Sequence, residues 1–316
     1  MSNPEPVSVV ILTRDEGANI RECIDEVLQQ MRDRDEIVVV DSASCDDTVA
    51  ICERYAFERP GKLRMHAYPA NVGSAEARAT AIEMAKHDVL VFVSAAAVPE
   101  PGWLDALRGA VANADVVYGR QRHAAPRAGA ATVSRGLRYH RYEKDVEALP
   151  ETFASRANAA YRRFAFETLA SHDALAGHDD AALAREARLA GLRLAYARDA
   201  LVSHKDVASW SAEWRRRLLE GAARATRRDL LGTPRGALLW ALAVGATGIA
   251  AVALASAWLL ALCVMLFFAP TIRRVASPVV RRYKAPHLVG GVAASPFFDL
   301  AFVGGYLARR VRRTRG

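Results

Sequence analysis

Four short, almost wholly apolar runs separated by helical patterns constrain the fold more than any other feature. The runs are rich in β-branched residues and cover residues 7–12, 36–40, 88–93 and 115–119. Strands buried on both faces have this composition. Patterns of helical period lie between them, at about 17–31, 46–57, 74–86 and 101–112. The alternation predicts βαβ units, and hence an α/β domain with a mainly parallel sheet and flanking helices.

The rhythm weakens after the fourth run. Helical patterns return at about 160–170 and 179–190, and residues 192–197 are a final strand candidate. Between the second and third runs, residues 64–69 are a further short strand candidate. Residues 121–150 are polar, basic and rich in turn formers, which is typical of a long functional or mobile loop.

The C-terminal part contains a 34-residue run without a charge, residues 237–270. At about 1.5 Å per residue a helix of this length spans roughly 50 Å, whereas the hydrocarbon core of a bilayer is about 30 Å thick. Basic residues flank the run on both sides, which favours an even number of membrane crossings. We therefore expect a helical hairpin that turns between Gly245 and Ser256. One long tilted helix and a buried pair of core helices are the alternatives.

The last apolar stretch, residues 287–308, contains Pro296 and Asp299. An aspartate is costly at mid-bilayer, so we expect a re-entrant or interfacial segment. The predicted organisation is a cytosolic domain at 1–210, a basic juxtamembrane helix at 211–236 and a membrane region at 237–316. The expected location is the cell membrane, with several crossings and the N-terminal α/β domain in the cytoplasm.

The charge distribution argues against a nucleic-acid partner. From residue 211 onward, 17 Lys and Arg face 4 Asp and Glu, whereas residues 1–210 hold 26 basic and 31 acidic residues. The α/β part has no basic surplus with which to follow a phosphate backbone. A basic excess beside apolar segments instead favours an anionic membrane surface.

The first candidate site follows the first strand. In a parallel α/β sheet, ligands bind beyond the carboxyl ends of the strands, where Thr13, Asp15 and Glu16 are expected. The G-x-G-x-x-G pattern of dinucleotide sites is absent here. Alternatively, Asp15 and Glu16 lie near the start of a helix only because negative charges interact favourably with the helix dipole there.

The second strand closes with Asp41, whose carboxylate can accept hydrogen bonds from a base or a ribose. Ser44 and Asp47 fit a capping box for the next helix, but a cap leaves Asp41 unexplained. Further on, Asn71 and Gly73 form a turn, Ser74 is expected to cap a helix, and Arg78 follows about one turn later. Free backbone N–H groups at a helix start, beside an arginine, can bind the oxygens of a diphosphate. An ordinary capped helix with a solvent-exposed arginine explains the same residues.

Taken in order, these segments resemble family 2 glycosyltransferases, which have the GT-A fold. The resemblance covers roughly residues 7–221 and rests on VSVVILTRDEG, VVVDSASCDDT, NVGSAEAR, VFVSAAAVPEPGW, VVYGRQ, RANAAYRR and HDDAALAREARLAGLRLAYARDALVSH. It implies a nucleotide-sugar donor and inversion at the anomeric carbon. The donor would be held by residues that follow four strands: Thr13, Asp15, Glu16, Asp41, Asn71, Gly73, Arg78 and Ser94.

Two positions depart from the family pattern. Family members carry aspartate after the fourth strand, where it binds ribose and Mg²⁺ or Mn²⁺. Here the turn reads Ser94-Ala95-Ala96-Ala97, so the ligand set is incomplete and the metal is expected at the Ala96 position. An introduced replacement of aspartate, a natural loss of metal dependence and a loss of catalysis all explain this alanine.

The second departure is His178, which stands where the family has glutamate before the aspartate that acts as general base. The resemblance makes Asp179 the candidate general base. Alternatively, Asp179 and Asp180 are acids that stabilise the start of a helix through its dipole. The resemblance also suggests that Asn158, Arg162 and His204 lie near the acceptor or the phosphates.

The predicted function is inverting transfer of a sugar from a nucleotide-sugar to a membrane-associated acceptor, either a polyprenyl-phosphate or a lipid-linked glycan. Because the acidic turn is replaced, a non-catalytic nucleotide-sugar-binding membrane subunit is the alternative. The sequence does not indicate an oligomeric state.

Overall fold

A computed structural model of the 316-residue chain describes residues 5–123, 154–170 and 180–205, together with short pieces further on. Those pieces are residues 214, 218, 244–247, 249, 262–268, 296–297 and 300. The described residues up to Lys205 belong to one compact unit, and those from Trp214 onward belong to a second.

The first half of the α/β unit is a run of βα units. The strands are β1 (Val7–Thr13), β2 (Glu36–Ser42), β3 (Leu63–Tyr68) and β4 (Val89–Ser94). The helices between them are α1 (Ile20–Gln30), α2 (Thr48–Glu58) and α3 (Ser74–Met84). Every residue of β2 is buried, as its β-branched composition predicts.

The second half mixes strand directions. Its strands are β5 (Ala97–Pro99), β6 (Val116–His123), β7 (Asn158–Arg162) and β8 (Leu194–His204). Its helices are α4 (Trp103–Val111), α5 (Arg163–Ala170) and α6 (Asp180–Leu189).

Within the described residues the strands form one sheet in the order β3-β2-β1-β4-β7-β6-β8-β5. Strands β1 to β4 pair in parallel, and β6 pairs in parallel with β8. Strand β7 is antiparallel to both of its neighbours, and β5 is antiparallel to β8. The α/β prediction is confirmed. Three of the four apolar runs form β1, β2 and β4 of the parallel half, whereas the fourth forms β6, which is antiparallel to β7.

Three local predictions were wrong. Residues 158–162, assigned partly to a helix, form β7, and α5 begins only at Arg163. Strand β5 was not predicted at all, and β6 continues to His123, into the segment predicted as a loop. Each of these strands gains its hydrogen bonds from partners distant in sequence, which local periodicity does not register.

The two faces of the sheet carry separate parts of the core. Val9, Ile11 and Val39 point to the face covered by α1, α2 and α4, where Trp103 is fully buried. Val10, Val38 and Phe92 point to the opposite face, which α3 and α5 cover. This alternation follows from the two-residue period of strands. Because helices cover both faces, a ligand is expected at the carboxyl ends of the strands.

The predicted membrane region, 237–316, lies largely outside the described residues. No helix within the described part of the chain is both long enough and apolar enough to cross a bilayer. In the second unit, the Cys263 thiol lies 3.4 Å from the Val244 carbonyl, and the rings of Phe267 and Phe297 are 5.3 Å apart.

Candidate functional site

The pairing of the strands brings three of the predicted donor residues to one end of the sheet, which we call the carboxyl end. Thr13 pairs with Asp41 across β1 and β2, and Leu12 pairs with Ser94 across β1 and β4. Residues that close neighbouring parallel strands therefore stand side by side, as the sequence predicted.

The side-chain hydroxyl of Thr13 lies at this end of the sheet. Its Oγ1 is buried and has no hydrogen-bond partner among the described residues. An unpaired buried hydroxyl is unfavourable unless a ligand or water completes it. Because the Thr13 hydroxyl lies beside Asp41, it is positioned to form a hydrogen bond with a polar group of a bound ligand.

The loops after β1 and β2 are bound tightly to each other. The Asp15 carboxylate accepts the Cys45 N–H at 2.8 Å, and the Asp15 N–H donates to Ser44 Oγ at 2.8 Å. The Glu16 N–H donates to Thr48 Oγ1 at 2.8 Å. Asp15 and Ala43 adopt positive φ angles of 55° and 57°, which non-glycine residues rarely do and which often marks functional loops.

Asp41 is buried and holds the same loop through its carboxylate. Oδ2 accepts the Ser44 N–H at 2.9 Å, and Oδ1 accepts the Ser44 hydroxyl. The predicted capping box was wrong, because Asp47 is the N-cap of α2 and its side chain makes no cap bond. Ser44 instead links Asp41 to Asp15.

The turn that contains Asn71 and Gly73 is hydrogen-bonded to Ser42, the last residue of β2. The Ser42 hydroxyl lies 3.0 Å from Asn71 Oδ1 and 2.8 Å from the Val72 carbonyl. Gly73 is the N-cap of α3, so the expectation that Ser74 caps this helix was wrong.

Arg78 lies on the face of the sheet covered by α3 and is only 6% exposed. Burial, together with the positive charge of Arg156, lowers the pKa of Arg78 to about 10, so the guanidinium remains cationic at neutral pH. Asp180 and Tyr161 act in the opposite direction on this pKa. Arg78 thus belongs to a charged cluster with Arg156 and Asp180, beside Tyr161 and Tyr118.

Arg156 and Asp180 are the ion pair of this cluster. Nε of Arg156 lies 2.5 Å from Asp180 Oδ1, and the two side chains are 13% and 24% exposed. Burial lowers the pKa of Arg156, but the charge and hydrogen bond of Asp180 outweigh it and the pKa is raised. Burial and the Asp180 charge also raise the pKa of Tyr161 to about 12.

The turn after β4 does not fit a divalent metal. The side chains of Ala95, Ala96 and Ala97 offer no oxygen ligand, and Ser94 Oγ already accepts the Ala96 N–H at 3.3 Å. Within the described residues, no three His, Cys, Asp or Glu side chains group into a possible metal site. The Ala96 carbonyl accepts the N–H of Lys205 at 2.7 Å.

Of the remaining predicted residues, Asn158 and His204 lie near the turn after β4 through their pairing with Val93 and Ala97, whereas Arg162 does not. Asn158 is fully buried, and its side chain bonds Trp103 Nε1, the Arg120 carbonyl and the Ala200 carbonyl, each at 2.8 Å. Arg162 lies at the opposite end of the sheet beside Val89. His204 pairs with Ala97 beside the turn after β4. Asp179 lies outside the described residues.

Sequence reasoning missed Arg156 and Lys205. Arg156 precedes β7 by two residues, and the carbonyl of Ala157 accepts the Ser94 N–H at 3.0 Å. Its role depends on β7 inserting next to β4, and no local pattern indicated that strand. Lys205 follows His204, a residue that the sequence did single out.

The mixed α/β sheet, with its N-terminal run of βα units, has the architecture of the GT-A fold. The profile of the family described as "Glycosyl transferase family 2" matches residues 8–170, which is just over half of the chain. The chain therefore belongs to this family.

Curated relatives match over shorter stretches. Glycosyltransferase GlyG of Streptococcus pneumoniae serotype 4 is 27% identical over 117 residues, 36% of this chain and 38% of that protein. The uncharacterized glycosyltransferase YibD of Escherichia coli is 30% identical over 95 residues, 30% of this chain and 27% of that protein. The chain thus spans well under half the length of both relatives.

Among solved structures, the mannosyltransferase PcManGT from Pyrobaculum calidifontis superimposes with a TM-score of 0.60. It is 22% identical, and the match covers 97% of this chain and 88% of that one. That structure holds GDP-Man and Mn²⁺. At this identity the likeness establishes the GT-A fold.

Proposed function

We propose that the chain transfers a sugar from a nucleoside-diphosphate donor, with inversion, to an acceptor at a membrane surface. The observation that carries the donor site is the buried Thr13 hydroxyl, which has no hydrogen-bond partner in the described part of the chain and lies beside buried Asp41 at the carboxyl end of the sheet. The base and ribose of a nucleotide offer groups that both side chains can bind. The cationic Arg78 and the N-terminus of α3 supply positive potential for a diphosphate.

In the proposed reaction, an acceptor oxygen attacks the anomeric carbon from the face opposite the diphosphate. The new C–O bond forms as the bond from the anomeric carbon to the diphosphate oxygen breaks, and the nucleoside diphosphate departs with the electron pair. If the acceptor is a hydroxyl, its proton passes to the carboxylate of Asp179. A phosphate oxygen is already anionic and needs no base.

The two acceptor classes therefore give different results for Asp179→Asn. With a lipid-linked glycan, whose nucleophile is a hydroxyl, we expect kcat to fall by about 10²–10⁴-fold while donor binding persists. With a polyprenyl-phosphate we expect much smaller loss. Transfer assays with both acceptors, in membranes that contain the native chain or this variant, distinguish them.

The membrane context rests on the composition of the tail and on one contact. The tail combines the uncharged run 237–270 with an excess of arginine on both sides. Nineteen residues of straight helix would separate Val244 from Cys263 by about 28 Å, yet the thiol and the carbonyl are 3.4 Å apart. This contact supports the hairpin rather than one long tilted helix. Extraction of the full chain by carbonate at high pH would contradict an integral hairpin.

The donor site is tested by a thermal-shift panel of UDP-, GDP- and dTDP-linked sugars. A ligand that binds only the folded state stabilises it by RT ln(1 + L/Kd), where L is the free ligand concentration, and thereby raises the melting temperature. We expect one nucleotide class to stabilise the native chain and to stabilise Asp41→Asn much less. The exposed Asp33 gives a matched control, Asp33→Asn, which should respond as the native chain does. No shift with any donor would contradict the proposal.

The replaced acidic turn favours a second candidate, a non-catalytic subunit that binds the nucleotide-sugar. Ala96→Asp separates the two. Turnover by the native chain supports a transferase, whereas turnover by Ala96→Asp alone indicates that activity has been lost. Donor binding without turnover in both proteins supports the subunit.

A further inference from the structure

The turn after β4 lacks the carboxylate that would bind the metal ion implied by the family. Lys205 lies beside this turn and carries a positive charge of its own. The backbone of Lys205 is fixed to this turn, because its N–H donates to the Ala96 carbonyl at 2.7 Å. The preceding residue, His204, pairs with Ala97 in the β5–β8 ladder. The lysine therefore leaves the sheet directly beside the position where family members carry a metal-binding aspartate.

The side chain of Lys205 stays at this end of the sheet. Its ammonium group forms an ion pair with the carboxylate of Glu22, in the first turn of α1. The next residue, Cys23, directs its thiol at the Ser94 carbonyl, at 3.5 Å. The side chains of Glu22 and Lys205 are 49% and 40% exposed, which leaves the ammonium accessible to a ligand.

A diphosphate that leaves a sugar develops negative charge that must be balanced. A divalent ion bound by aspartate does this in many enzymes, but here the side chains of Ala95 to Ala97 hold no such ion. An ammonium group also neutralises a phosphate, as a point charge. An exposed pair with Glu22 is weak, so a diphosphate can displace the carboxylate.

We propose that Lys205 binds the donor diphosphate in place of a metal ion, exchanging Glu22 for the phosphate when the donor enters. This inference rests on the proposed donor site. It assigns the role of the divalent ion to a lysine whose backbone is bound to the turn that carries the metal ligand in the family, and it requires donor binding to be independent of metal.

The test measures the affinity for UDP, GDP or dTDP, whichever stabilises the native chain, by calorimetry in EDTA and again in Mn²⁺. We expect the native chain to bind in EDTA, with less than a twofold gain from Mn²⁺. Lys205→Ala should weaken binding about tenfold to a hundredfold, the range for a hydrogen bond to a charged group. Lys205→Arg should restore most of it, and Glu22→Gln should tighten binding by removing the competing carboxylate.

Lys86 provides a matched control, because it is an exposed lysine near the start of β4, at the opposite end of the sheet. Lys86→Ala should bind the nucleotide as the native chain does. Native binding that requires Mn²⁺, or unchanged affinity in a folded Lys205→Ala, overturns the inference and leaves the proposed donor site intact. No binding by either the native chain or Ala96→Asp, in EDTA or Mn²⁺, overturns the donor site itself and the inference with it.

Discussion

Arg156 binds the carboxylate of Asp180 at two points, through its backbone N–H at 3.3 Å and its Nε at 2.5 Å. This pair connects the first residue of α6 to the segment before β7, and the neighbouring Ala157 bonds Ser94 at the end of β4. The start of α6, directly after the candidate base Asp179, is thereby fixed beside the candidate donor site.

Asp180→Asn should lower the free energy of unfolding by roughly 2–4 kcal/mol, because it leaves Arg156 and Arg78 as close, buried positive charges. Urea unfolding followed by circular dichroism measures the change. As a control, Glu58→Gln removes the exposed partner of Arg54 and should leave stability unchanged. Equal effects of the two substitutions would show that the buried pair is not a special determinant of stability.

Thr13→Val should raise stability and weaken donor binding at once. The valine keeps the shape and strand propensity of threonine but removes a buried hydroxyl without a partner in the described structure, for a gain of about 1 kcal/mol. Melting curves of the free variant, and its thermal shift with the best donor, check both effects. A less stable variant with native donor affinity would mean that the hydroxyl serves the protein rather than a ligand.

Gly119→Ala should be severely destabilising. A Cβ at this position would lie 2.4–2.6 Å from the side chain of Asn158, which three hydrogen bonds hold in place. We expect a loss of roughly 2–4 kcal/mol. Gly109→Ala is the matched control, since it adds a Cβ in open space within α4 and should be neutral or stabilising by up to about 1 kcal/mol. Comparable midpoints of urea unfolding for the two variants would contradict the described packing of Asn158.

Acid should destabilise the protein partly through Asp35. Burial raises the pKa of this carboxyl, but hydrogen bonds from Arg108 and from the N–H groups of Arg32 and Val7 outweigh it and hold the pKa below its usual value of 3.8. A carboxyl whose pKa is lower in the folded state stabilises the protein above its unfolded pKa and loses that contribution as pH falls below it. Asp35→Asn should therefore cost roughly 3–5 kcal/mol at pH 7, because it breaks a buried ion pair.

The difference between the native chain and Asp35→Asn should shrink as the pH falls through and below about 3.8. Urea midpoints measured from pH 7 to pH 3 follow it. A difference that stays constant over that range would contradict the ion pair between Asp35 and Arg108.

The parallel half of the fold was predictable because its information is local. Runs such as VSVVIL and EIVVV are long enough to show two-sided burial, and the rule that parallel strands end together then places Thr13, Asp41 and Ser94 in one region. The loop residue Asp15 could be anticipated for the same reason, although its hydrogen bonds to the β2–α2 loop could not.

The antiparallel half was less predictable because its partners are distant in sequence. The segment NAAYR is short and alanine-rich, and it becomes β7 only by pairing with both β4 and β6. Without that strand, neither the structural role of Asn158 nor the Arg156–Asp180 pair could be inferred. Likewise, Lys205 reaches the Ala96 turn through the register of β5 against β8, which only the structure shows.

Hydrogen–deuterium exchange of the full chain, with and without the donor that stabilises it most, tests the location of the donor site most directly. We predict slower amide exchange in three segments that meet at the carboxyl end of the sheet: residues 13–17, 41–48 and 71–78. Helix α4, which covers one face of the sheet, should be unaffected. A donor that binds while leaving exchange in all three segments unchanged would contradict the account.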